Sequence, residues 1–76
     1  MKIVLYKQRT KVIVDTEFIE AKFLESKYIK NEWNYLDLRT RIMYFITNEL
    51  KLYCNEKFNQ KSLDYLEKNL NHKGVN

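Results

Sequence analysis

The hydrophobic residues near the N-terminus form two short runs, residues 3–6 (IVLY) and residues 12–14 (VIV). Both runs are rich in β-branched and aromatic side chains, and the polar residues 7–11 separate them, a pattern that predicts a β-hairpin. The bend has neither Asn-Gly nor Asp-Gly, so we expect a loop longer than two residues around positions 8–10.

An aromatic-aliphatic pair recurs every five residues between positions 18 and 32, in the segments FIEAK, FLESK and YIKNE. On a helix this period advances each pair by about 140°, which spreads apolar side chains around most of the circumference. We expect a helix over residues 16–30, because Asp15 or Thr16 can cap it and acidic residues fill its first turn. A third strand is the alternative. A helix with apolar side chains around most of its circumference would be covered on more than one side, by the rest of the fold or by a second copy of the chain.

The clearest helical pattern spans residues 34–55, with Asn34 as a candidate N-cap and no helix breaker in the segment. At about 100° per residue, one broad apolar face is predicted. It comprises Tyr35, Leu36, Leu38, Ile42, Met43, Ile46, Leu50 and Tyr53.

A short final helix is predicted from Ser62, with Leu63, Leu66 and Leu70 on one side. We expect residues 72–76 to form a flexible tail, which leaves residues 1–71 as a single compact domain. The predicted fold is therefore α+β, with an N-terminal hairpin followed by about three helices around a long central one. An all-α bundle with an extended N-terminal arm is the alternative.

The composition argues against most loop-based active sites. The chain has no proline and one glycine, Gly74, but eleven aromatic residues (six Tyr, four Phe and one Trp). Glycine supplies the positive-φ turns and phosphate-binding loops on which many catalytic sites depend. Any binding must therefore be done by side chains on helices and the hairpin.

Few residues of this chain are suited to catalysis or metal binding. The single histidine, His72, falls in the predicted tail, and the single cysteine, Cys54, should be a small buried apolar residue. We expect no enzymatic activity, no cofactor and no metal site. One cysteine also excludes an intrachain disulfide and favours a reducing, cytoplasmic location. No stretch approaches the roughly 18 apolar residues of a membrane span, so we expect no membrane association.

The side of the central helix that lies away from its apolar face offers a candidate protein-binding patch. Aromatic side chains beside adaptable polar groups and an arginine are typical of protein interfaces. The predicted contact residues are Arg41, Tyr44, Phe45, Asn48 and Leu52. They favour a small inhibitor, adaptor or regulatory protein that occludes a larger protein partner. A phage or mobile-element origin would fit the composition. The alternative is that the last helix covers Phe45 and Leu52 and leaves Tyr44 merely exposed.

Basic residues near the N-terminus suggest a second function. The net charge is +4, and residues 1–14 contain no acidic side chain. A nucleic-acid-binding regulator, expected to be dimeric, would use Lys2, Lys7, Arg9 and Lys11. A solvated lysine-rich surface is the competing interpretation. Arg39 projects toward the apolar face of the central helix, where we expect it to pair with an acid such as Glu20 or Glu25.

Overall fold

A computed structural model describes residues 1–75 and shows an antiparallel hairpin packed on three α-helices. The elements are β1 (Lys2–Lys7), β2 (Thr10–Asp15), α1 (Thr16–Leu24), two 3₁₀ turns (Lys27–Ile29 and Asn31–Trp33), α2 (Leu38–Asn48) and α3 (Gln60–His72). The predicted α+β class, with a hairpin followed by three helices, is confirmed.

The hairpin loop is shorter than the sequence suggested. Strands β1 and β2 pair in a register that sets Lys7 opposite Thr10, so Gln8 and Arg9 alone form the loop. Our expectation of a longer loop was wrong. Gln8 adopts a φ of 58°, a left-handed conformation for which glycine is the usual residue. The two-residue turn therefore forms without the Asn-Gly or Asp-Gly that usually predicts it.

The two edges of the hairpin differ in their pairing. On the outer edge of β1, the N–H of Tyr6 donates to the carbonyl of Tyr53 at 2.9 Å, and the N–H of Tyr53 donates back at 2.7 Å. Within residues 1–75, no strand pairs with the outer edge of β2. The sheet is thus extended on one side only.

Helix α1 settles the choice between helix and strand for the segment after the hairpin. The Asp15 carboxylate accepts a hydrogen bond from the N–H of Glu17 and caps the helix, as predicted. The helix ends at Leu24, well before residue 30. The Ser26 hydroxyl donates to the carbonyl of Phe23 at 2.6 Å and accepts from the N–H of Tyr28, and these local bonds replace the helical ones.

Helix α2 is half the length that the sequence pattern predicted. Asp37, rather than Asn34, is the N-cap, and its carboxylate accepts from the N–H of Thr40 at 2.8 Å. The helix ends at Asn48, and Lys51 follows with a φ of 58°. The chain then extends so that Tyr53 can pair with β1. A prediction from helical periodicity cannot detect this tertiary pairing, because the apolar spacing continues past the end of the helix.

Helix α3 places Leu63, Leu66 and Leu70 in the core, as predicted. Its first residue is Gln60, two positions before the predicted start. The buried side chain of Asn59, just before the helix, donates a 3.1 Å hydrogen bond to the carbonyl of Val4 and ties the helix start to β1.

The C-terminal residues are packed rather than loose through Val75. His72 is the last residue of α3, and Gly74, at a φ of 89°, follows the helix. The N–H groups of Gly74 and Val75 donate to the carbonyls of Asn71 and Leu70, each at 3.0 Å, which is the Schellman arrangement. Val75 is buried. Asn76, the last residue of the predicted tail, lies outside the described residues.

The core lies between one face of the hairpin and the three helices. From β1 it receives Ile3 and Leu5, whereas Tyr35 and Tyr53, both assigned to the core by periodicity, are 76% and 62% exposed. The other fully or nearly fully buried apolar side chains are Ile19, Phe23, Tyr28, Leu38, Ile42, Phe45, Ile46, Cys54, Leu63, Leu66, Leu70 and Val75.

Candidate protein-binding surface

The predicted protein-binding patch is divided between the surface and the core. Arg41 and Phe45 are each only 2% exposed, so they do not reach a partner in this fold. Leu52 is half-buried against the core, whereas Tyr44 and Asn48 are exposed. Of the five predicted contact residues, Tyr44 and Asn48 are therefore the two that the fold leaves exposed.

Phe45 is buried by side chains from α1 and from the first 3₁₀ turn, which the periodicity of α2 alone could not predict. Its ring meets the edge of Phe23 on α1, with centroids 5.5 Å apart, and the ring of Tyr28 in the first 3₁₀ turn at 6.5 Å. This side of α2 is therefore covered by α1 and the 3₁₀ turn, not by the last helix as the alternative interpretation supposed.

The buried Arg41 side chain binds the first 3₁₀ turn, Lys27–Ile29, from the core side. Its Nη1 donates a 3.3 Å hydrogen bond to the carbonyl of Tyr28, and within residues 1–75 its buried Nε has no hydrogen-bond partner. Burial lowers the pKa of the guanidinium, and the nearby charge of Asp37 partly opposes that shift. Arg41 therefore acts as a structural link between α2 and the turn.

A chain of aromatic contacts leads from the core to the surface. The Tyr28 ring, packed on Phe45, lies 4.8 Å from Trp33, centroid to centroid. Trp33 in turn stacks on Tyr35, with centroids 6.2 Å apart and planes inclined by 20°. Tyr35 is 76% exposed. An exposed aromatic ring is thus supported by a half-buried one, which is itself supported by the core.

Polar and charged groups surround this aromatic chain. The Lys27 ammonium lies 5.4 Å from the ring centroid of Tyr28 and 5.5 Å from that of Trp33, both within cation–π range. The side-chain amide of Asn48 donates to the Tyr28 hydroxyl at 3.1 Å. Tyr44 lies one turn before Asn48 on the same stripe of α2 and is 44% exposed.

We call Lys27, Trp33, Tyr35, Tyr44 and Asn48 the aromatic surface. Two of these residues belong to the predicted patch, and the other three were missed. Periodicity assigned Tyr35 to the core face of a helix that starts only after Asp37. The available signal was Asp37 itself, since an N-cap there places Trp33 and Tyr35 in the loop before the helix.

The four basic residues proposed for nucleic-acid binding do not form one cluster. Lys2 and Lys11 share the open face of the hairpin, while Lys7 lies on the other face and Arg9 in the loop. Lys2 pairs with Asp15 at 3.7 Å. Within residues 1–75, Lys7, Arg9 and Lys11 form no ion pair, and all three lie at the loop end of the hairpin.

Arg39 pairs with acids on α3, not with Glu20 or Glu25 as expected. Its partners are Asp64 and, at 3.3 Å, Glu67. The buried Glu20 instead accepts from the Lys73 ammonium at 3.0 Å, which joins α1 to the C-terminal turn. The prediction failed because α3, and not α1, faces this side of α2.

Cys54 and His72 occupy very different environments. Cys54 is buried, and burial raises the pKa of its thiol; the Asn59 amide contacts its sulfur at 3.7 Å. His72 is exposed in the last turn of α3. In the described part of the chain, no three metal-ligating side chains lie close enough to share an ion. Nor does any helix of residues 1–75 have the length and apolarity to cross a membrane.

Comparisons with protein-family models, curated proteins and solved structures found no match to this chain.

Proposed function

We propose that this protein is a non-catalytic interaction module that binds a larger protein through the aromatic surface. The observation that carries the proposal is the stack of the exposed Tyr35 ring on Trp33. Tyrosine and tryptophan are enriched among the residues that contribute most to protein–protein affinity, whereas lysine is depleted at protein interfaces.

The support beneath Tyr35 favours binding over simple exposure. A side chain that is already ordered loses less conformational entropy when a partner covers it. Trp33 stacks on the ring of Tyr35 and itself packs on Tyr28, and Lys27 lies over the rings of Trp33 and Tyr28. Each large aromatic side chain can bury about 150–250 Å² in all, so a small surface of this kind can contribute substantial apolar contact.

A role as an inhibitor, adaptor or regulatory protein that acts by occlusion follows from this chemistry. Occlusion requires only a complementary surface and no reactive group. We place this activity in the cytoplasm, since the single cysteine of the chain is a buried free thiol, and the composition is compatible with a phage or mobile-element origin.

The test is a comparative affinity purification from the native host. The tagged wild type is compared with Tyr35→Ser and Tyr44→Ser, and with Phe58→Ser as the control, because Phe58 is also strongly exposed (66%) but lies outside the aromatic surface. A partner that is retained by wild type and control but lost by both surface variants supports the proposal. Equal retention by all four proteins contradicts it. Phe45 is left unchanged, since truncating that buried ring would damage the fold.

A second candidate function, nucleic-acid binding, rests on the loop end of the hairpin. There Lys11, which forms no ion pair in the described part of the chain, lies opposite Tyr6, and Tyr6 pairs in turn with the exposed Tyr53. Cations beside exposed aromatic rings can hold a single-stranded backbone while bases stack. Affinity for a labelled oligonucleotide should then fall steeply between about 50 and 200 mM salt, and Lys11→Gln should weaken it. Absence of binding at low salt would rule this function out.

A further inference from the structure

Among residues 1–75, no strand pairs with the outer edge of β2, so its backbone groups are open to a partner strand. Their direction can be derived from the pairing of β1. Tyr6 uses both its N–H and its carbonyl to bond Tyr53, so it cannot bond its cross-strand neighbour Lys11. Lys11 is therefore in a non-hydrogen-bonded pair, and its N–H and carbonyl point away from β1. Because this direction alternates along a strand, the N–H and carbonyl of Ile13 and the N–H of Asp15 also point away from β1.

Ile13 lies at the centre of this edge and is 60% exposed. It is β-branched and lies in the middle of a strand, where such a residue is usually covered on at least one side. An exposed apolar residue on an unpaired edge strand is a ready template for another strand.

We propose that a second copy of this chain pairs with the outer edge of β2, antiparallel and with Ile13 on the two-fold axis. In this register Ile13 of one copy lies opposite Ile13 of the other, and Lys11 lies opposite Asp15. Opposite charges that face each other across an antiparallel pair are favourable, whereas like charges are not. The edge is thus complementary to itself.

The backbone groups of β2 fit the same register. The two copies of Ile13 exchange a reciprocal pair of N–H to carbonyl bonds, because both groups point outward in each copy. The N–H of Asp15 donates to the carbonyl of Lys11 on each side of the axis. Asp15 is the N-cap of α1, so its carbonyl accepts the first hydrogen bond of that helix. The pairing between the two copies of β2 therefore ends at Asp15.

This surface shares no residue with the aromatic surface, so the dimer leaves the proposed protein-binding site open. Strand-edge interfaces are small, and interfaces below about 1,200 Å² are usually weak and transient. We therefore expect a monomer–dimer equilibrium that depends on protein concentration.

Sedimentation equilibrium over a wide range of concentrations tests the proposal. The wild type should dimerise, and Ile13→Pro should remain monomeric, because it removes the central outward N–H without removing a bond to β1. Lys11→Glu should weaken the dimer at least tenfold by facing Asp15 with a like charge. Lys7→Glu is the matched control, since Lys7 bonds Thr10 inside the hairpin and lies off the interface. Circular dichroism checks that each variant folds.

A cross-linking experiment tests the register. Residues in a hydrogen-bonded antiparallel pair have Cα atoms about 5.5 Å apart, within the range that a disulfide spans. Ile13→Cys should oxidise to a covalent dimer, whereas Arg9→Cys, also exposed but far from the axis, should not; the native Cys54 is buried. A wild type that stays monomeric overturns the proposal, and so does a dimer unaffected by Ile13→Pro or equal cross-linking at both cysteines.

Discussion

The side-chain amide of Asn48 donates a 3.1 Å hydrogen bond to the hydroxyl of Tyr28. Arg41, two turns earlier on α2, binds the carbonyl of the same tyrosine. Tyr28 is thus fixed to α2 at both its backbone and its ring end, and Trp33 packs on that ring. The orientation of the aromatic surface therefore depends on bonds made inside the fold.

The bond between Asn48 and Tyr28 can be measured with a double-mutant cycle. Tyr28→Phe removes one partner and Asn48→Ala the other, and each should lower the free energy of unfolding by about 0.5–1.5 kcal/mol in urea titrations. The double variant should lose less than the sum of the two single losses, because they remove the same bond. Strict additivity would show that the two groups do not interact in solution.

The role of Arg41 can be separated into the packing of its stem and its charge. Arg41→Ala removes the buried stem and should cost about 2–5 kcal/mol, as for truncation of a long apolar side chain. Arg41→Met keeps most of the volume and removes the buried guanidinium, whose Nε has no hydrogen-bond partner within residues 1–75, but it also loses the bond to the Tyr28 carbonyl. It should therefore cost less than Arg41→Ala, about 1–2 kcal/mol. Chemical denaturation measures both. A similar large loss for the two variants would mean that the charge itself stabilises the fold.

Asp37 should make stability depend on pH in the acid range. Hydrogen bonds from Thr40 lower the pKa of the Asp37 carboxyl. The larger effect comes from the Thr40 hydroxyl and the smaller from its backbone N–H. A carboxyl with a lowered pKa in the folded state stabilises above its unfolded pKa of about 3.9. That contribution is lost as the pH falls through the folded-state pKa.

Substitution of Asp37 separates capping from charge. Asp37→Asn still caps α2, so near neutral pH its free energy of unfolding should stay close to that of the wild type. Its stability should decline less steeply as the pH falls below about 4. Asp37→Ala should lose about 1 kcal/mol at neutral pH. Thermal melts between neutral and acid pH give these values, and parallel acid limbs for wild type and Asp37→Asn would contradict the assignment.

Gly74 tests whether the C-terminal turn is formed. A Cβ added there would meet no atom within 4 Å, so the cost of Gly74→Ala comes from its φ of 89° alone. We expect a loss of about 1 kcal/mol, which D-alanine in a synthetic chain would not cause. Asn71→Ala, on the exposed side of the same helix, is the control. A Gly74→Ala variant as stable as the wild type would mean that the turn is not populated in solution.

The sequence pattern was sufficient where local chemistry decides the structure. The hairpin, the Asp15 cap of α1 and the leucine face of α3 all follow from residues within a few positions of one another. These features required only the periods of strands and helices and the preferences of capping residues.

The pattern was insufficient where distant segments compete. The end of α2 depends on Tyr53 pairing with Tyr6, far away in the sequence. The burial of Phe45 depends on Phe23 and Tyr28 covering a face that periodicity placed outside. The aromatic surface could not be predicted as a unit for the same reason, since its residues come from two 3₁₀ turns, a loop and α2.

Trp33 provides the most direct test of the proposed protein-binding surface, because it is the only tryptophan in the chain. The protein is prepared with fluorotryptophan at this position, and fluorine NMR follows its single resonance during titration with the purified partner. We predict that binding shifts the resonance and lowers its solvent-isotope effect, and that Tyr35→Ser weakens binding at least tenfold. Saturating binding that leaves the resonance unchanged would contradict the proposal.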